Sequence, residues 1–199
     1  FAEQEAGYLA GYLAGLWAKD NNAKVVSSVG GQKIPPVDHY IAGFQAGAEK
    51  AYPGIETLNA YSQDFVDQAK CKEIALDQIA KGSQVVFQVA GGCGLGALDA
   101  AKEKGAQGIG VDADQAYLGD HILTSALKRV DVAVFNAVKR VQDGTFKGGT
   151  DVLHTVENDG VGIGKIGPAG TKYADQVQQI QDQIAAGEIT DIPDKVSSK

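Results

Sequence analysis

The sequence predicts an α/β fold built on a doubly wound parallel sheet. Short β-branched or apolar runs start near residues 25, 55, 85 and 108 and alternate with stretches of helical periodicity, the pattern of strands joined by crossover helices. A glycine-rich turn, residues 90–96, follows the run Val85 to Val89, and the next strand, 108–111, ends on Asp112. Right-handed crossovers bring the loops 30–36, 61–66, 90–96 and 112–118 to one edge of the sheet. Open parallel sheets hold their ligands outside that carboxyl edge.

In chain order, Glu3 to Lys19 repeats Ala6, Leu9, Ala10, Leu13, Ala14 and Trp17 at helical spacing, which predicts one packed face. Its alternating Ala and Gly at 6, 7, 10, 11, 14 and 15 suggest close packing against a sheet. Strand Lys24 to Val29 leads into a loop with Pro35 and Pro36, residues suited to a first helical turn. Helix 37–51 turns its Tyr40, Ile41, Phe44 and Ala48 inward. His39 reads as exposed or half buried, a surface histidine rather than a ligand. After strand 55–60, helix 64–81 takes Asp64 or Asp67 as its N-cap. Beyond the glycine turn come helix 97–104, strand 108–111, strand 122–127 and helix 130–143. A strand is expected at 151–156, a glycine-rich segment at 159–170 and a last helix at 173–186. The polar tail from Glu188 is expected to be loose.

With 44% hydrophobic and 22% charged residues, the chain has the composition of a globular protein. Its net charge of −7, with no basic run, argues against nucleic acid as a partner. The apolar stretch 6–18 is interrupted and too short to span a bilayer. The sequence opens inside a helix and contains no methionine, which reads as a fragment of a longer protein. The two cysteines, Cys71 and Cys93, fall on the same rim of the sheet, so a disulfide and a pair of free thiols both remain open.

Gly92-Cys93-Gly94-Leu95-Gly96-Ala97 has the G-x-G-x-x-G/A spacing, with Asp112 twenty residues after Gly92. That is a dinucleotide fingerprint, although it follows the third strand rather than the first. The same rim also suits a neutral ligand. Backbone N–H groups of residues 91–94 can donate to sugar or base oxygens, Asp112 can accept from two adjacent hydroxyls, and Lys128 ends the neighbouring strand. Asp112 and Lys128 also admit plainer roles, a loop cap and a solvated strand-end lysine. The three histidines (39, 121 and 154) are scattered, no nucleophile–base order is present, and no cofactor or metal set is expected. Asp112 with Asp114 alone makes a weak cation site.

The runs EQEAGYLAGYLAG, VSSVGGQKIPPVDHYIAGFQAGAEKAYPGI, AGGCGLGALDAAKEKG, GIGVDADQ, HILTSALKRVDVAVFNAV and ENDGVGI strongly resemble the basic membrane protein family. These are solute-binding lipoproteins of ABC importers, several of which bind purine nucleosides. The resemblance covers residues 1 to about 187 and implies a type I periplasmic-binding-protein fold, in which two lobes close on a ligand. Residues 1–127 then form the second, ligand-binding α/β lobe. Residues 128–199 form a crossover segment, helix and C-terminal part that pack on a first lobe lying earlier in the chain.

By resemblance, Asp112 accepts from ribose hydroxyls, Lys128 contacts the ribose, Gly91 and Gly92 let ligand approach the backbone, and the loop with Gly31, Gln32 and Ile34 faces the base. Where purine-binding members stack the base on aromatics, that loop carries Gln32 and Ile34. The implied protein is a non-enzymatic receptor, extracytoplasmic and lipid-anchored in its full length. Its partners would be a nucleoside-like small molecule, an ABC permease, and either the missing first lobe or a second copy of this chain. Two other readings stand beside it: an NAD-dependent enzyme fragment using the 92–97 turn, and a sensor domain of the same fold without transport.

Overall fold

The structure is a computed structural model and describes residues 1–197. Its elements are α1 (Glu3–Asp20), β1 (Val25–Gly30), α2 (Pro35–Ala51), β2 (Glu56–Tyr61), α3 (Gln68–Ala80), β3 (Ser83–Val89), α4 (Gly94–Lys104), β4 (Gln107–Asp112), β5 (Ile122–Lys128), α5 (Val130–Gln142), β6 (Val161–Ile163) and α6 (Ala174–Ala185). They form one sheet of order β2-β1-β3-β4-β5-β6. The first five strands are parallel and β6 is antiparallel to β5. The chain leaves β1 toward β2 on one side and returns to β3 on the other. The topological switch point therefore lies between β1 and β3.

Strand alternation divides the core. Val85, Phe87, Val89, Ile109 and Leu123 face one layer with α1, α2 and α6, while Val29, Val86 and Ala90 face the other with α3 and α4. Side chains of successive strand residues point to opposite faces, so β3 is apolar on both sides, as a central parallel strand must be.

The small residues of α1 do more against a helix than against the sheet. A Cβ on Gly7 would sit 2.2 Å from the Tyr40 carbonyl oxygen, and one on Gly11 2.0 Å from that of Phe44. The seam is reciprocal, since a Cβ on Gly43 or Gly47 would meet the carbonyl oxygens of Gln4 and Tyr8 at 2.0 and 2.1 Å. Backbones of α1 and α2 thus lie in direct contact.

Several boundaries differ from the sequence expectation for local reasons. Helix α2 starts at Pro35, because both prolines fit its first turn. Helix α3 starts at Gln68, with Asp67 accepting from the Ala69 N–H at 3.0 Å. Asp64 instead accepts from the N–H groups of Val66 and Asp67 and folds residues 64–67 into a separate turn. No strand forms at 151–156. There the Asn158 side chain accepts from the Thr155 N–H and donates to the Leu153 carbonyl, and the sixth strand appears within the glycine-rich segment instead. The tail beyond Glu188 is also held. Ile189, Ile192 and Val196 lie against the core, and the Gln45 carboxamide oxygen accepts from the Ser197 N–H at 2.8 Å.

The part of the chain after residue 127 divides by packing. Strand β6 and helix α6 join the core of the preceding residues, with Val161, Val177, Ile180 and Ile184 buried. Helix α5 buries no residue, and Val134, Phe135, Val138 and Val141 are 58–68% exposed along one face.

Cys71 and Cys93 are bonded, with Cα atoms 5.5 Å apart. The bond ties the first turn of α3 to the residue before α4.

Two stability measurements follow. Gly11→Ala should lower stability despite a helix-propensity gain of about 1 kcal/mol, because overpacking of this kind costs about 1–3 kcal/mol. A more stable variant in urea unfolding would show that the seam has room. Replacing both cysteines by alanine opens a bond spanning 22 residues and should cost about 3 kcal/mol, read in the same assay without reductant.

Candidate ligand cavity

A cavity of about 160 Å³ opens at the carboxyl edge, and each of the five parallel strands contributes to it. After β1 come Ile34, Pro36 and Val37, with Tyr40 one turn on; after β2 comes Phe65; β3 ends on Val89 and is followed by Gly91; and β4 and β5 end on Asp112 and Lys128. Ile34, Gly91, Asp112 and Lys128 from the sequence-derived set are therefore brought together, while Gly31, Gln32 and Gly92 do not line the cavity.

The position of Gly31 has a different physical basis. A Cβ there would sit 2.2 Å from Cε1 of Phe65, so the absence of a side chain seats the Phe65 ring. Gln32 is exposed. Gly91 has φ +55°, and the Phe65 carbonyl oxygen would be 3.3 Å from a Cβ at either Gly91 or Gly92. That carbonyl accepts from the Cys93 N–H at 3.0 Å, and the Gly94 N–H is bonded to Ala90 and Gly91. The expectation that residues 91–94 all offer N–H groups to a ligand is thus corrected at 93 and 94.

The same contacts weigh against a dinucleotide turn. Cβ atoms on Gly94 and Gly96 would clash with Gln88 Oε1 and the Gln68 carbonyl oxygen at 1.8 and 1.9 Å. Those glycines serve helix packing, and the Phe65 loop covers the start of α4.

Beneath the rim, β3 and β4 stop pairing after Phe87 and Ile109. Buried Gln88 and Gln115 fill the resulting gap: Gln88 donates to Gln115 Oε1 at 2.7 Å, which also accepts from the Val111 N–H at 3.1 Å. Satisfying these buried backbone groups with side chains lets the strands splay where the ligand edge begins.

Asp112 takes φ +63°, a left-handed conformation that Asp tolerates better than most residues. It accepts from the Tyr40 hydroxyl at 3.3 Å. The carboxylate is open at the cavity mouth, yet the surrounding walls partly desolvate it. That raises its pKa above the ordinary 3.8, against the opposing pull of Lys128 and Tyr40. Burial, reinforced by Asp112, likewise raises the Tyr40 phenol, so it stays a donor. Lys128 is paired with Glu3 Oε1 at 2.6 Å, and Glu3 Oε2 lies 3.4 Å from His39 Nδ1. Asp114 is committed to loop structure through the N–H groups of Ala116 and Lys165. Among the described residues no cluster of three or more His, Cys, Asp or Glu could hold a metal ion.

Sequence reasoning missed Phe65, Tyr40, Glu3, Gln88 and Gln115. Phe65 had a signal, being an aromatic in the rim loop 61–66. Tyr40 read as core, and nothing in a helix-opening Glu3 betrays a buried ion pair.

The family of ABC transporter substrate-binding proteins described as PnrA-like matches residues 1–196. The chain belongs to this Bmp family. It is 33% identical to the ABC transporter nucleoside-binding protein BmpA of Lactococcus lactis subsp. cremoris, over 98% of the chain and 59% of that protein. It is 31% identical to basic membrane protein D of Borreliella burgdorferi, over 82% of the chain and 48% of the relative. The chain thus spans about half the length of these curated relatives. Among solved structures it is similar to an ABC transporter solute-binding protein from Aeropyrum pernix K1, with TM-score 0.82, 26% identity and coverage of 97% and 65% of the two chains. A solute-binding protein from Conexibacter woesei gives TM-score 0.78 at 25% identity, covering 98% of this chain and 64% of that one. The fold is that of type I periplasmic solute-binding proteins. No helix among the described residues is long and apolar enough to cross a membrane.

The raised pKa of Asp112 has a checkable consequence. A carboxyl group protonated more readily in the folded state stabilises it below pH 3.8, and that contribution is lost as pH rises through the folded-state pKa. Asp112→Asn should therefore leave Tm at pH 7 unchanged or slightly higher, and flatten its fall above pH 4. A destabilisation of about 1 kcal/mol, typical of a lost cap, would assign Asp112 a structural role instead.

Proposed function

We propose that this chain is the ligand-gripping lobe of an extracytoplasmic solute receptor that delivers a nucleoside-like molecule to an ABC permease. The observation that carries this reading is the joint placement of Phe65, Asp112 and Lys128 around one cavity. An aromatic face suits a planar base, a carboxylate accepts from two neighbouring hydroxyls, and an ammonium donates to sugar or base oxygens. Phe65 supplies from the loop after β2 the aromatic surface that the Gln32–Ile34 loop lacks. The disulfide suits an oxidising compartment, and relatives from Pyrococcus are named lipoproteins.

A cavity of about 160 Å³ is smaller than the roughly 300–1,000 Å³ of complete small-molecule sites. It fits half of a cleft. The uncovered apolar face of α5 calls for a partner on the same molecule, and the length of the relatives leaves room for a further lobe. We assign that lobe to both tasks: closing the cleft and covering α5.

Isothermal titration of the protein carrying both lobes decides the reading. Micromolar binding of a purine or pyrimidine nucleoside, with no heat from NAD, is the expected result; an NAD response without a nucleoside response overturns it. Asp112→Ala should weaken nucleoside binding by about 1.5–3 kcal/mol, the scale of a charge-assisted hydrogen bond. Phe65→Ala should cost about 1–3 kcal/mol, the scale of one stacked base.

A further inference from the structure

Asp112 and Lys128 line the same cavity, but no ion pair joins them among the described residues; Lys128 Nζ is paired with Glu3 Oε1 at 2.6 Å. Glu3 does not line the cavity. Its side chain is 5% exposed, and its two oxygens are taken by Lys128 and His39. A buried carboxylate without partners would be strongly disfavoured, so its location is set by the fold. It opens α1, where a negative charge also suits the helix dipole, and the glycine seam holds that first turn in place, with the Gln4 carbonyl against Gly43 and Gly7 against the Tyr40 carbonyl.

From this arrangement we propose that Glu3 is a positioning residue which holds Lys128 away from Asp112, so that the Asp112 carboxylate stays free to accept from a ligand. The alternative state is easily drawn. Without the Glu3 charge, Lys128 keeps the face of the Phe1 ring, 5.0 Å from its Nζ, and shares the cavity with the Asp112 carboxylate; the two charges would pair across it. Ligand hydroxyls would then compete with an internal ammonium for the same oxygens. The ligand half of this inference rests on the receptor reading above; the Lys128–Asp112 half does not.

The test is a double-mutant cycle with Glu3→Gln and Lys128→Met, reading the Asp112 pKa in this chain by carboxyl-carbon NMR. Removing Glu3 also removes a like charge that raises the Asp112 pKa, so Glu3→Gln lowers it in both backgrounds. With Lys128 present the drop should be larger, by about 1 unit or more, because an opposite charge moves within reach. Equal drops in the two backgrounds overturn the proposal. The cycle needs Lys128→Met to fold with Glu3 keeping only His39 beside it; Lys128→Gln, which keeps an N–H donor for Glu3 without the charge, replaces it should Lys128→Met unfold.

In the two-lobed protein, Glu3→Gln should weaken a ribonucleoside about tenfold and its 2′,3′-dideoxy analogue less than about twofold. Equal losses for both ligands assign Glu3 a merely structural role. If the unmodified protein binds no nucleoside, the receptor reading falls, and the NMR cycle still decides the Glu3 proposal.

Discussion

The site depends on the backbone contact between α1 and α2. Glycines on both helices let carbonyl groups of one lie where a Cβ of the other would be, and no other residue type permits that approach. The consequence reaches the carboxyl edge of the sheet, because Tyr40 and His39 sit on the first turns of α2 and Glu3 on the first turn of α1. Widening the seam would withdraw Tyr40 from Asp112 and Glu3 from Lys128 together. Helix packing and the arrangement of the cavity are coupled here by geometry rather than by any shared side chain.

A second constraint acts across the switch point. The loops after β1, β2 and β3 are held to one another by backbone contacts: the Gly31 N–H donates to the Val89 carbonyl, the Ser62 and Gln63 N–H groups to Gly30 and Gly31, and the Cys93 N–H to Phe65. Phe65 is thereby seated over Gly31, with the disulfide closing the far side of the same turn. An aromatic held by backbone bonds loses little rotamer freedom when a ligand arrives, which is the usual advantage of a preformed wall. Flexible loops carrying the same residues would lack it.

The sheet and the identity of the rim were legible because they rest on short-range pattern. Alternation of strands and helices fixes the order of loops, and the position of Asp112 and Lys128 at strand ends follows from it. Glu3 and Gln115 were not legible, and Phe65 only as an aromatic in a rim loop, since their roles depend on which distant residues they meet. Phe65 lies over Gly31, Glu3 beside Lys128, and Gln115 between two splayed strands. The tail and the segment 151–156 were misjudged for a related reason. The polar composition of the tail suggested a loose end and the apolar residues Val152, Leu153 and Val156 a strand, whereas the amide side chains of Gln45 and Asn158 bond to the local backbone.

The burial of α5 presents the opposite case. The helix itself was expected at 130–143, with the resemblance implying that it packs on a first lobe; among the described residues Val134, Phe135, Val138 and Val141 are exposed. An amphipathic helix derives most of its stability from the surface it covers, so a helix with this stripe implies a surface of matching character. The cavity presents the same incompleteness in a different form. It has a planar aromatic wall, a carboxylate and an ammonium on one side, but too little volume to surround a nucleoside. Two independent features, one apolar and one polar, thus lie open among the described residues, and under the receptor reading proposed above a single neighbouring lobe would satisfy both.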